Sequence, residues 1–155
     1  MVTNAKGFDP GVPQNYNAAT EFIDRNIALG RHDKIAVVDE QGEFSYAHLS
    51  NMVNQVGNAF THLNINRNDR VLMAMLDTVE FPAVFWGCIK SGIIPIPLNT
   101  LLTTPDYEYI LEDSKATTLI VSDTLFHLFK PIIEKQCGIK NILVCGEENY
   151  GYPSL

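Results

Sequence analysis

Asp77, Asn99 and Thr100 are the polar residues of this 155-residue chain that stand where an α/β protein does chemistry. Asp77 follows the apolar run RVLMAML, and Asn99-Thr100 follow GIIPIPL. Open parallel sheets bind ligands in the crevice outside the carboxyl ends of their strands. A carboxylate, an amide and a hydroxyl there could contact such a ligand. Each also has a local use. Asp77 is expected to cap the helix that follows it, and Asn99-Thr100 suit a turn leading into the next helix.

No other constellation competes with these three. A dinucleotide fingerprint GxGxxG, a phosphate loop GxxxxGK[ST], HExxH, GxSxG and paired-cysteine metal patterns are all missing from the sequence. His32, His48, His62 and His127 have no metal-like spacing and are expected on helix or loop surfaces. Trp86 lies on a helix that is apolar on several faces, so packing is expected of it rather than a substrate platform. Cys88, Cys137 and Cys145 form no CxxC pair and are expected to act as small buried hydrophobes in a reducing compartment.

A net charge of −7, with basic residues scattered singly, excludes nonspecific nucleic-acid binding as an expected role. No basic-then-apolar leader opens the chain, and no apolar run reaches the ~20 residues of a membrane span. The expectation is a soluble, cytoplasmic protein.

The elements that would position the candidate residues follow from hydrophobic patterning. Residues 1–15 hold Gly7, Pro10, Gly11 and Pro13 and suggest an extended arm; residues 16–155 suggest a single α/β domain. A helix from Asn17 to Leu29 would bury Phe22, Ile23 and Ile27. A hairpin would follow, with strands over Lys34–Asp39 and Glu43–Tyr46 around Gln41-Gly42. Ser45 would cap a helix burying Leu49, Val53, Val56, Phe60 and Leu63. Strands over Val71–Leu76, Ile93–Ile96, Thr117–Val121 and Ile139–Val144 would alternate with helices over Phe81–Ser91, Thr104–Lys115 and Leu125–Lys135. Thr104 would cap the second of these helices. The strands lack apolar/polar alternation, as expected when both faces are covered. Pro95 and Pro97 place the second strand at or near an edge, or leave it only partly paired. The fold class is thus α/β, a mostly parallel doubly wound sheet with flanking helices, preceded by a small hairpin.

Two long segments carry a family resemblance. DRVLMAMLDTVEFPAVFWGCIKSGIIPIPLNTLLTTPDYEYILEDSKA, with NAATEFIDRNIALGRHDKIAVVDEQGEFSYAHLSNMVNQVGNAF upstream, resembles the N-terminal region of benzoate-CoA ligases within the adenylate-forming acyl-CoA synthetases. The resemblance implies a parent enzyme that joins a carboxylate to ATP, releasing pyrophosphate. Coenzyme A thiol then displaces AMP to give a thioester, and Mg²⁺ assists the first step. It also implies a Ser/Thr/Gly-rich phosphate loop, a Thr-Glu motif, a ribose-binding Asp and a mobile catalytic Lys. None of these motifs is found here, and the ten glycines are dispersed. No catalytic, cofactor-binding or metal-binding role therefore transfers to any residue of this chain.

Three readings stay open on the sequence: an inactive N-terminal part of an aryl-CoA ligase, a stand-alone binding module of that fold, or a piece complemented by a separate chain that carries the rest of the enzyme. The first also implies self-association through apolar surface left bare.

Overall fold

The computed structural model describes residues 11–13, 15–135 and 138–154. Most of the expected arm (residues 1–10 and 14) and Cys137 lie outside the described residues.

Asn17 opens the first helical segment by accepting the Ala19 N–H on its side-chain oxygen at 2.9 Å. The segment is not one regular α-helix. Thr20–Asp24 forms a π-turn, followed by α-helix over Arg25–Ala28 (α1). A wider turn rotates the residues within it. Ile23 is buried as expected, but Phe22 is 55% exposed and stacks on Trp86 with ring centroids 5.4 Å apart. Trp86 itself is half-buried, packed against the small core of Ile23, Leu49, Val53 and Ala83.

β1 (Ile35–Asp39) and β2 (Gly42–Ser45) pair antiparallel as the expected hairpin. Tyr46, expected at the end of the second strand, instead begins α2 (Tyr46–His62). Ser45 is still extended, and its hydroxyl accepts the His48 N–H, which starts the helix one residue on.

The remaining chain alternates: β3 (Arg70–Ala74), α3 (Glu80–Ser91), β4 (Ile94–Pro97), α4 (Thr104–Ser114), β5 (Thr118–Ser122), α5 (Phe126–Glu134) and β6 (Asn141–Cys145). A short 3₁₀ turn, Asp123–Leu125, precedes α5. All four later strands are parallel, in the order β4-β3-β5-β6. Pro95 and Pro97 do lie on an edge strand. Gly92 ends α3 at φ 74°, a left-handed turn that costs a glycine little. The cap of α4 is Thr103, one residue before the expected Thr104. Thr103 is extended, and both its N–H and its hydroxyl donate to the Asp106 carboxylate, at 3.0 and 2.6 Å. A three-residue spacing to an acid selects this position over its neighbour.

Alternate residues of each strand face opposite ways. Val71, Met73, Met75, Ile120, Leu143 and Cys145 meet α2 and α3 through Val56, Phe60, Val84 and Cys88. Leu72, Ala74, Leu119, Val121 and Val144 meet α4 and α5 through Tyr107, Leu111, Phe129 and Ile132. The outcome is a three-layer α/β/α sandwich with its doubly wound sheet in the middle, as the apolar strands implied.

Candidate functional site

The strand order reverses direction between β3 and β5. Crossovers run away from each other at such a point, leaving a crevice at the strand ends. Here the crevice is largely closed by the chain itself. The Leu76 N–H, just past β3, donates to Ser122 Oγ at the end of β5, at 3.0 Å. Asp77 follows, exposed, and its side chain makes no hydrogen bond to the helix it was expected to cap. That work falls to Asp39, forty residues before Val79. Its carboxylate accepts the Val79 N–H at the start of α3 (2.8 Å) and the Gln41 N–H in the hairpin turn (2.8 Å). An acid at a helix N-terminus satisfies a free N–H and complements the dipole. Nothing local in the sequence signals this, because the two partners come from different elements.

Asn99 and Thr100 follow β4, and the turn reading fits the geometry. Asn99 Oδ1 accepts the Leu101 N–H at 2.9 Å, and the Asn99 carbonyl accepts the hydroxyl of buried Tyr107 at 2.8 Å. The loop so formed leaves Leu101 87% exposed. Asp77, Asn99 and Thr100 share the carboxyl edge of the sheet, but no hydrogen bond joins them.

Asp123 is the residue at this edge that the sequence reading missed. One carboxylate oxygen accepts the Thr124 N–H (2.6 Å), and the other accepts those of Glu147 (2.9 Å) and Glu148 (3.4 Å) in the loop after β6. Clustered backbone N–H groups of this kind can hold an anion. Here the anion is the chain's own carboxylate. Gly146, at φ 136°, makes the approach possible: a Cβ there would stand 2.2 Å from the Asp123 carboxyl.

Neither described thiol, Cys88 or Cys145, is set up as a nucleophile. Burial pushes Cys88 up to about 12; burial, with the charges of Glu80 and Asp123, pushes Cys145 to about 12 as well. Both are free and buried, as expected of packing cysteines. The four histidines are exposed. No three His, Cys, Asp or Glu side chains gather as a metal site among the described residues. No described helix is long and apolar enough to cross a membrane.

A doubly wound sheet whose strand ends are tied up by its own side chains defines a structural layer of an α/β protein. Comparison with known sequences makes this specific: the family model for AMP-binding enzymes matches residues 24–149, and the chain belongs to that family. It is 43% identical over 136 residues to the benzoate–CoA ligase of Thauera aromatica, covering 87% of this chain and 26% of that enzyme. It is 39% identical to the 4-hydroxybenzoate–CoA/benzoate–CoA ligase of Rhodopseudomonas palustris, with 86% and 25% covered. Among solved structures, the anthranilate CoA ligase AuaEII in complex with anthranoyl-AMP superposes with a TM-score of 0.85 at 35% identity, covering 94% of this chain and 28% of that one. The chain therefore spans about a quarter of the length of the relatives it matches.

Proposed function

We propose that this chain is the N-terminal quarter of an ATP-dependent aryl-CoA ligase acting on a benzoate-type acid. The parent reaction would form an acyl-adenylate and pyrophosphate from the acid and ATP, then an acyl-CoA thioester from coenzyme A. The observation that carries this is the 43% identity over nearly the whole chain to a benzoate–CoA ligase. The parent enzyme would use ATP, Mg²⁺ and coenzyme A.

The residues of this chain do not by themselves fit those groups. The strand-end N–H cluster is filled by Asp123, no acidic group of three exists among the described residues, and the sequence has no glycine-rich phosphate loop. No step of the reaction is assigned to them. Their contribution is scaffold: a rigid layer against which catalytic parts are positioned. Residues 16–155 act as one α/β unit, the acidic surface repels nucleic acid, and the protein works in the cytoplasm on small molecules. Alone, the chain self-associates through apolar surface.

Pyrophosphate release from benzoate and ATP tests the reading. The 155-residue chain should give none. Joined at its end to the remaining three quarters of the Thauera aromatica ligase, it should give turnover. Catalysis by the chain alone would overturn the scaffold role. A well-folded extended chain that forms no adenylate would favour a stand-alone binding module.

A further inference from the structure

At the amino ends of the strands, away from the carboxyl ends where α/β sheets bind ligands, the N-terminal segment meets the end of α3. A polar concavity of about 300 Å³ lies between them, within the size range of small-molecule sites. It is lined by Asn15, Tyr16 and Asn17 of the segment and by Arg67, Lys90 and Ser91 of the sandwich. Two of these residues are committed to the protein. Lys90 Nζ donates to Asp24 (2.6 Å) and to Asn54 (2.9 Å), and the Asn17 amide donates to the carbonyls of Ile89 and Lys90.

Arg67 is different. No hydrogen bond or ion pair engages its guanidinium among the described residues. Its backbone is nevertheless fixed, because the Asn68 N–H donates to the Gly92 carbonyl at 2.9 Å. The nearby Asp69 carboxylate turns back to the Asn66 N–H (2.7 Å) instead of pairing with it. The stem of Arg67 lies across Gly92, where a Cβ would stand 3.1 Å from Cγ and 3.6 Å from Nε. The side chain is thus laid along the cavity wall with its five donors unused. The charges around it do not cancel. Lys90 and Asp24 offset each other, and the end of α3 contributes only about half a negative charge. The full charge of Arg67 leaves the cavity positive within an acidic chain.

We propose that this cavity binds a small oxyanion, a phosphate or carboxylate group gripped by the Arg67 fork. The Asn15 amide and the hydroxyls of Tyr16 and Ser91 supply further donors. The net charge of −7 disfavours an extended polyanion, which would feel the whole surface, whereas a small anion feels only what lies within a Debye length. The bound anion would fasten the N-terminal segment to the 66–69 turn. The site does not depend on the ligase reading and lies away from the strand ends where that chemistry would belong.

Calorimetric titration of the 155-residue chain with inorganic phosphate, pyrophosphate and benzoate tests this. At least one should bind with a dissociation constant of about 1 mM or tighter; benzoate alone would make the ligand a carboxylate, and the phosphates alone a phosphate. Arg67→Met keeps the stem and removes the charge, and should weaken binding about tenfold or more. Arg25→Met removes the same charge from an exposed ion pair outside the cavity and should leave binding unchanged. With ligand at ten times its dissociation constant, exchange of the Ala19 amide, bonded to Asn17, should slow about tenfold in the parent chain and not in Arg67→Met. The exposed, unbonded Arg67 can be replaced without unfolding the chain, and an unchanged urea midpoint verifies this. Absence of binding by all three anions overturns the proposal. So does binding that Arg67→Met leaves intact, which lies elsewhere, and so does equal weakening by both variants, which is diffuse charge attraction.

Discussion

On one face of the sheet, helices α2 and α3 press together at glycine; on the other, α4 and α5 are held by rings. A Cβ on Gly87 of α3 would stand 2.6 Å from a Val56 methyl of α2 and 3.3 Å from the Val53 carbonyl, so the first contact admits no added atom. On the second face, Tyr107 of α4 stacks on Phe129 of α5 with centroids 4.5 Å apart, and both side chains are fully buried. The first face is limited by backbone approach, the second by side-chain volume. Adding atoms should therefore damage one face, and removing them the other.

The largest expected effect lies on the ring face. Phe129→Ala should cost about 3–5 kcal/mol, as truncation of a buried aromatic leaves a cavity, measured by urea denaturation; a loss below 1 kcal/mol would mean the face can collapse. On the glycine face, Gly87→Ala should destabilise by about 1–3 kcal/mol through overpacking, despite alanine's better helix propensity. A gain in melting temperature would show that α2 and α3 separate easily and would erase the contrast. Asp39→Ala acts where the glycine face meets the hairpin and should cost about 1 kcal/mol, the usual worth of a helix cap, with faster amide exchange at Val79.

The smallest effect concerns the entry to the ring face. Hydrogen bonds from the Thr103 hydroxyl and N–H hold the exposed Asp106 carboxyl below its usual range. A lowered folded pKa gives stability that is present above the unfolded value and lost as pH falls through the folded one. Asp106→Asn should therefore flatten the acid limb of a melting-temperature profile below about pH 4 and leave neutral pH less affected by acidification. An unchanged acid limb would show that the cap does not form in solution.

Local patterning carried most of the layers. The unbroken apolar strands, Ser45 before a three-four repeat, and Gly92 after Ser91 each bear their signal within a few residues. What stayed hidden depends on distant partners. Val79 is capped by Asp39, and the loop after β6 closes on Asp123, so Asp77 looked like a cap and Asp123 like nothing in particular. The π-turn at Thr20–Asp24 was equally illegible, since Phe22 fits a regular helical stripe until Trp86 offers it a ring to stack on. At the candidate site, the turn at Asn99 was readable because its hydrogen bond reaches only two residues along.

Asn17 uses both halves of one amide. Its oxygen accepts from Ala19 at the start of its own helical segment, while its nitrogen donates to the carbonyls of Ile89 (3.0 Å) and Lys90 (3.3 Å) at the end of α3. Hydrolytic loss of ammonia from this side chain would keep the acceptor and destroy the donor. A carboxylate would then face the negative end of a helix dipole. A single uncatalysed ageing reaction would thus unfasten the N-terminal segment from the sandwich while leaving the sandwich whole.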